Sequence, residues 1–358
     1  MTNWKARFAA LRDGMKKRSL DAVYVSTPEN YLYLSGFDNP DGWLVVTAEN
    51  AYLYADMRYY EAAKAEACPE VTVCLPGQPK LTDLAADGGF AVIGYEENHL
   101  TCAELDSLKL TFEGKGVAFR PIGTLLTGLR TIKTPEEVDC IVAAQRIAEA
   151  AFDHILAVIT PEMTEIEVAA ELEYFMKKHG SIKPSFDTVA VSGSASSRPH
   201  GVPRPVKLEK GFLTMDYGAT VAGYHSDMTR TIVIGKADDE MKRLYDTVLR
   251  AQTAAIEAVT EGASNAEIDR VARDLIEEAG YHGRFGHGLG HGVGLEIHEA
   301  PNLSPRAGDA VLRVGEIVTV EPGIYLEGQY GCRIEDMMVV EPGGARNLTN
   351  CPKELIEI

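Results

Sequence analysis

Residues 211–235, GFLTMDYGATVAGYHSDMTRTIVIG, and residues 315–340, GEIVTVEPGIYLEGQYGCRIEDMMVV, are two versions of one pattern. Each opens on a glycine and runs through an apolar stretch that ends in an acid, Asp216 or Glu321. Each then returns through a second stretch that carries another acid, Asp227 or Glu335. Side chains alternate along a strand, so Asp227 shares a face with Thr229 and Thr231, and Glu335 shares one with Arg333. A carboxylate on an otherwise apolar strand is costly to bury unless it is paired or bound to a cation. Four of them in one place repel each other unless something positive sits among them. The pattern predicts two hairpins facing one cleft.

The segments before the hairpins repeat as well. Thr164-x-x-Glu167-Val168 opens a helical pattern that ends at His179-Gly180, and Ser264-x-x-Glu267-Ile268 opens another that ends at Ala279-Gly280; both read as capping boxes. A loop rich in Gly, Ser or His follows each helix: SGSASSRPHG at 192–201 and GRFGHGLGHGVG at 283–294. Helix, loop and hairpin occurring twice predict one domain with internal pseudo-twofold symmetry. Upstream, Thr134-Pro135-Glu136-Glu137 combines an N-cap, a proline at the first helical position and a glutamate at the third, which starts a helix running to about Ile159. Before a junction at 129–134, the β-rich runs AVYV, WLVV, AYLYA, VTVCL, AVIGY and VAF alternate with helical stretches at 59–67 and 102–110. That alternation predicts an α/β domain over 1–128, followed by an α+β domain over 129–358.

The length of 358 residues exceeds a single core of about 100–200 residues, in keeping with two domains. Hydrophobic residues at 45% and charged residues at 25% exclude a disordered or fibrous chain. The net charge of −18 repels phosphate backbones and anionic lipid, so neither nucleic acid nor membrane is expected as a partner. Lys5, Arg7, Arg12 and Lys16 to Arg18 break any signal-peptide core, and no apolar run approaches the ~18 residues of a membrane span. The six cysteines, Cys68, Cys74, Cys102, Cys140, Cys332 and Cys351, show no framework spacing, which predicts reduced thiols and a cytoplasmic location.

His291, inside HGLGHGVG, adds an imidazole to the four acids. One nitrogen with four carboxylates is an oxygen-dominated ligand set large enough for two divalent ions. It suits Mn²⁺, Co²⁺ or Fe²⁺ better than a structural Zn²⁺, which draws on several Cys or His. Such a pair activating one water makes metal-assisted hydrolysis the expected reaction class.

Asp216 in MDYG, Asp227 in HSDMTRT, His291 in HGLGHGVGLEIHE, Glu321 in VEPGIY and Glu335 in RIED occur in an order that resembles the pita-bread metallopeptidases, the family of aminopeptidase P and prolidase. The resemblance covers the whole chain, including a creatinase-like N-terminal domain. It implies an α/β creatinase-like domain followed by an α+β pita-bread catalytic domain. It also implies two divalent metal ions, Mn²⁺ first, with Co²⁺, Fe²⁺ or Zn²⁺ as alternatives. Asp216 then chelates one ion, His291 and Glu321 hold the other, and Asp227 and Glu335 bridge them, with Glu321 also taking the proton of the attacking water. His200, in SSRPHGVP, matches a histidine that donates to the oxyanion or shuttles a proton, and His298, in LEIHEAP, matches one that contacts the scissile amide. His287 matches a histidine of the proline pocket, and Arg333 an arginine that orients carboxylates. The loop Gly36–Trp43 and the pair Asp56/Arg58 fall where family members reach toward a neighbouring subunit; a turn and a surface ion pair explain them equally well.

Creatinase lacks the metal ligands and methionine aminopeptidases lack the N-terminal domain, so neither branch fits. The implied activity is hydrolysis of the bond between an N-terminal residue and a following proline by an Xaa-Pro aminopeptidase, with peptides bearing proline second as partners and a homodimer assisted by the N-terminal domain. An Xaa-Pro dipeptidase is the alternative, and a non-catalytic binding protein on the same fold a remote one. A dipeptidase must bind the free carboxylate of its proline, best with an arginine. The position after HE-x-P that is arginine in many prolidases is Asn302 here, with Arg306 close by in sequence.

Overall fold

The computed structural model describes residues 2–38 and 41–358. The chain divides into two compact units, residues 1–130 and 131–358. The elements described in the first are α1 (Trp4–Lys17), β1 (Ala22–Val25), α2 (Pro28–Ser35), β2 (Trp43–Thr47), β3 (Ala51–Tyr54), α3 (Tyr60–Glu66), β4 (Thr72–Cys74), α4 (Leu81–Gly88), β5 (Val92–Tyr95), α5 (Cys102–Thr111), β6 (Ala118–Pro121) and α6 (Leu125–Arg130). The strands form one sheet in the order β4-β3-β2-β1-β5-β6. β1 runs antiparallel to β2 and parallel to β5, so the sheet is mixed. Each apolar run singled out in the sequence is a strand of this sheet. Helix α2, PENYLYLS, was not singled out in the sequence; Pro28 in its first turn and Gly36, left-handed just past its end, set its limits. Arg58 forms ion pairs with Asp56 at 2.6 Å and with Asp41 at 2.8 Å. Asn39 and Pro40 of the Gly36–Trp43 loop lie outside the described residues.

The second unit opens with a helix pair, α7 (Pro135–Val158) and α8 (Glu165–Lys178), followed by β7 (Val189–Ser192), β8 (Gly211–Tyr217), β9 (Thr220–Val221), β10 (Tyr224–His225) and β11 (Met228–Ile234). A second helix pair, α9 (Asp239–Ala258) and α10 (Asn265–Glu278), leads into β12 (Gly290–Gly292), β13 (Glu299–Leu303), β14 (Ile317–Val320), β15 (Gly323–Leu326), β16 (Tyr330–Arg333), β17 (Asp336–Glu341) and β18 (Gly344–Asn347). Helix α7 starts as its sequence dictates, with a complete Thr134/Glu137 capping box and Pro135 in the first turn. Its apolar stripe, including Ile141, Ala148, Phe152 and Ile155, is buried. The capping box of α8 is complete as well. That of α10 is not: the Ser264 hydroxyl accepts from Glu267 N at 3.4 Å, but the Glu267 carboxylate pairs with Arg270. The one-turn spacing to an arginine offers this glutamate a charged partner in place of the backbone N–H.

The two halves are built alike. In the first, β8 and β11 pair antiparallel from Gly211↔Ile234 to Tyr217↔Met228, and the small β9–β10 hairpin closes their tip. In the second, β14 and β17 pair from Ile317↔Val339 to Val320↔Asp336, and the β15–β16 hairpin closes theirs. Each hairpin buries one face. Leu213, Met215, Met228 and Ile232 pack in a core cluster with α7 and α8 residues, while Val318, Val320, Met338 and Val340 pack in a cluster with α9 and α10 residues. By alternation the residues between them, Thr214, Asp216 and Thr229 in one half and Thr319 and Glu321 in the other, occupy the opposite faces.

Close passage at two glycines brings the strand ends together. A Cβ on Gly290 would stand 1.9 Å from the Thr319 carbonyl oxygen, and one on Gly218 would stand 1.8 Å from that of Ser226. Gly290→Ala is therefore expected to force β12 off β14 at a cost of about 1–3 kcal/mol or more, read as a lower urea midpoint with an unchanged m-value. A wild-type midpoint would show that the strands separate freely.

Candidate metal centre

The tips of the two hairpins meet in a cavity of about 1220 Å³ whose lining includes Asp216, Asp227, His291, Glu321 and Glu335. Asp216 is the next-to-last residue of β8, Asp227 directly precedes β11, and Glu335 lies in the break between β16 and β17. His291 is central in β12, and Glu321 follows β14. One ligand atom from each of Asp227, His291 and Glu335 lies within 4.8 Å of the others. His291 Nε2 stands 3.3 Å from Glu321 Oε1 and 3.6 Å from Asp227 Oδ2. Its other ring nitrogen, Nδ1, faces the Gly292 carbonyl oxygen at 3.1 Å. A carbonyl only accepts, so Nδ1 carries a proton and Nε2 is the ring atom left facing the acids, the atom that a metal ligand would use.

The electrostatics of the cluster are those of uncompensated negative charge. Burial raises the carboxyl pKa of Asp227, and Glu335, Asp216 and Glu321 raise it further. Glu335 is raised by burial and by Glu321 and Asp216, and Asp216 by burial, partly offset by Arg333. Glu321 is the exception: burial opposes its ionisation, but His291, His287 and Arg333 outweigh burial and hold its carboxyl down at about 2. Two buried oxygens, Asp216 Oδ1 and Glu335 Oε1, have no hydrogen-bond donor. Orphaned, repelling hard oxygens beside an available imidazole nitrogen fit a divalent cation, which satisfies such oxygens without donors.

A web of neutral and cationic groups holds the acids in place. Arg333, buried, donates to Asp216 Oδ2 at 2.6 Å, to Thr229 Oγ1 at 3.0 Å and to the Tyr325 hydroxyl at 2.8 Å. The Thr229 hydroxyl donates to Glu335 Oε2 at 2.7 Å. The Thr319 hydroxyl accepts from His291 N at 3.0 Å and donates to Glu321 Oε1 at 3.2 Å, so one threonine serves both. His287 Nδ1 faces the Gly288 carbonyl at 2.8 Å, which leaves Nε2 to accept from the Tyr325 hydroxyl at 3.0 Å.

His200, His287, His298 and Arg333 lie on this cavity together with the five residues above, whereas Asp56 and Arg58 are not among its lining. The ring centroids of His298 and His291 are 4.3 Å apart. His200 is exposed on the loop after β7. Beside His298, Glu299 forms a buried ion pair with Lys133 at 2.6 Å. Thr319 and Tyr325 were not singled out. Their signal is alternation from Glu321, since Thr319 and Tyr325 stand two before and four after it, but a hydroxyl on a strand carries no charge to mark it. Asn302 and Arg306 also line the cavity, and both are exposed.

The profile of metallopeptidase family M24 matches residues 139–342, and that of the creatinase/prolidase N-terminal domain matches residues 7–132. An Xaa-Pro dipeptidase of Pyrococcus furiosus is 38% identical over 98% of this chain and 100% of its own. Among solved structures, an Xaa-Pro dipeptidase from Bacillus anthracis superposes with a TM-score of 0.94 at 38% identity, over 99% of this chain and 100% of its own. An X-Pro aminopeptidase from Thermotoga maritima superposes with a TM-score of 0.89 at 33% identity, over 97% of this chain and 100% of its own.

A cation that relieves the repulsion binds the folded state alone. Mn²⁺ at about 100 times its Kd is expected to add about 2.7 kcal/mol of stability to metal-stripped protein, read as a rise in Tm. Asp227→Asn should lose most of that rise. An equal rise in the variant would remove Asp227 from the site.

Proposed function

The chain belongs to metallopeptidase family M24, and from that premise we propose that it is an Xaa-Pro aminopeptidase acting with two divalent metal ions, Mn²⁺ first among them. The observation that carries this reading is the convergence of four carboxylates and the Nε2 of His291 in one cavity, with His200, His287 and His298 on its walls. Asp216, Asp227, His291, Glu321 and Glu335 hold the ions. Divalent ions there supply Lewis acidity toward a water and toward the scissile carbonyl.

The chain's own residues do the rest. Glu321, the acid whose carboxyl is held down by Arg333 and the imidazoles around it, accepts the proton of the attacking water. His200 donates to the oxygen of the scissile carbonyl as it gains charge, and His298 contacts the scissile amide. His287, its ring held between Gly288 and Tyr325, lines the place of the proline ring. Arg333 positions Asp216 through its 2.6 Å bond. A dedicated pocket is needed because proline has a fixed φ and no N–H for an ordinary peptidase to bind.

Peptide length is the finer question. The cavity, at about 1220 Å³, exceeds the roughly 300–1,000 Å³ of small-ligand pockets, and Asn302 is a neutral side chain that does not neutralise a terminal carboxylate. Both favour substrates longer than a dipeptide. Arg306, exposed at the cavity, supports the second reading of an Xaa-Pro dipeptidase, as do relatives of that name.

Two outcomes are expected. His200→Ala should lower kcat by about 10²–10³-fold, the usual effect of removing one oxyanion donor, with metal content by elemental analysis unchanged; loss of metal would place His200 among the ligands instead. Amidated Ala-Pro-Ala should show a kcat/KM at least equal to that of Ala-Pro. A clear preference for Ala-Pro that Arg306→Ala abolishes would establish the dipeptidase.

A further inference from the structure

No side-chain hydrogen bond among the described residues holds the ring of His200, so its place depends on the loop that carries it. That loop leaves the sheet at Ser192, passes through a 3-10 turn at Gly193–Ser197 and returns beside the start of α8. The Thr164↔Lys207 bridge and the bond from Leu208 N to the Met163 carbonyl mark the return. Both ends of the loop are tied to one carboxylate. Glu165, the first residue of α8, is fully buried, and its Oε1 accepts from Ser192 N at 2.7 Å, Ser192 Oγ at 2.8 Å and Arg204 Nη2 at 2.6 Å. Its Oε2 accepts from Arg204 N at 2.9 Å and Arg204 Nε at 2.8 Å. Arg204 reaches on to the Ser192 carbonyl at 3.2 Å. At the tip, Arg333 Nη1 donates to the Pro199 carbonyl at 3.2 Å, next to His200.

The repeat supplies an internal control. In the second half, Asn265 N bonds the Ala310 carbonyl and Leu312 N that of Ala263, as Glu165 N bonds Val206 and Leu208 N bonds Met163 in the first. Asn265 therefore corresponds to Glu165, and by the same offset Gly308 corresponds to Arg204. There, among the described residues, the side chain of Asn265 makes a single tie, from its Nδ2 to the Asn302 carbonyl at 3.2 Å. The fold makes this helix-to-loop junction without a buried ion pair. The second half places its buried pair one turn further along the helix, where Asp269 accepts from Arg273 and from Leu289 N and Arg273 reaches the His287 carbonyl, so there the pair ties the loop of His287 and His291.

We propose that the Glu165–Arg204 pair is a positioning device for catalysis, clamping both ends of the loop so that the His200 ring is held over the acid cluster. The proposal rests on the role given above to His200. Bidentate guanidinium–carboxylate geometry suits the task, because it fixes direction as well as distance. Displacing a catalytic group by about 1 Å can cost on the order of 10²-fold in rate.

The test uses the metal-loaded enzyme and Arg204→Ala, because Arg204 is partly exposed and its loss leaves Glu165 bonded to Ser192 and to the backbone of residue 204. Arg204→Ala is expected to lower kcat by about 10–10²-fold, with KM changed less than about threefold and metal content unchanged. Arg204→Lys, which restores the charge without the fork, should recover part of the loss. In a His200→Ala background, Arg204→Ala should change kcat less than about twofold, because the group it positions is gone. An equal fold-loss in both backgrounds, or an unchanged kcat in Arg204→Ala, would overturn the clamp while leaving His200 in place. An unchanged kcat in His200→Ala alone would overturn the role of His200, and the clamp with it.

Discussion

Four carboxyl groups enclosed in one cavity are the constraint around which this catalytic unit is arranged. Burial opposes the ionisation of Asp216, Asp227 and Glu335, and the neighbouring acids add to that cost, so the carboxyl pKa of each is raised. The protein compensates only in part, with Arg333 bonded to one oxygen of Asp216. Arg333, His291 and His287 gather around Glu321 and keep it ionised, whereas Asp216 and Glu335 each keep one oxygen without a donor. A cluster so arranged is incomplete without external positive charge, as expected of a family M24 metallopeptidase.

Using the same hairpin twice makes such a cluster possible. One hairpin that buries one face on helices has a second face free to be polar, and a single such face would be solvated. Two of them, each backed by its own helix pair and core cluster, put their polar faces and tips into one cleft. The close passages at Gly218 and Gly290 then bring the acids within a few ångströms without crossing strands. The helices supply burial, and the hairpin tips supply the chemistry.

Symmetry of the backbone does not extend to the side chains that fasten it. Glu165 and Asn265 start equivalent helices and make equivalent backbone bonds, yet the first anchors a guanidinium fork and the second a single amide bond. In the second half the guanidinium fork sits one turn further along the helix, between Asp269 and Arg273, and fastens the loop of His287 and His291 instead.

The acids were legible in the sequence because each interrupts an apolar strand, and burial makes such an interruption costly unless it has a purpose. The six strands of the first unit and the helix starts at Thr134 and Thr164 were legible for a similar reason: period-two runs and capping chemistry are local. At Ser264 the local signal failed in part, because Arg270 offered Glu267 a charged partner. The partners of the acids were not legible. Thr229 meets Glu335 across 106 residues, Arg333 meets Asp216 across 117, and Glu165 meets Arg204 across 39. Those pairings depend on strand register and on how one half faces the other, neither of which is a property of any single segment. The sequence by itself determined which residues carry charge into an apolar setting. Only the tertiary structure decided which of them share a cavity and which hydroxyls and arginines hold them there, because hydrogen bonds reach about 3 Å and only the folded chain closes those distances.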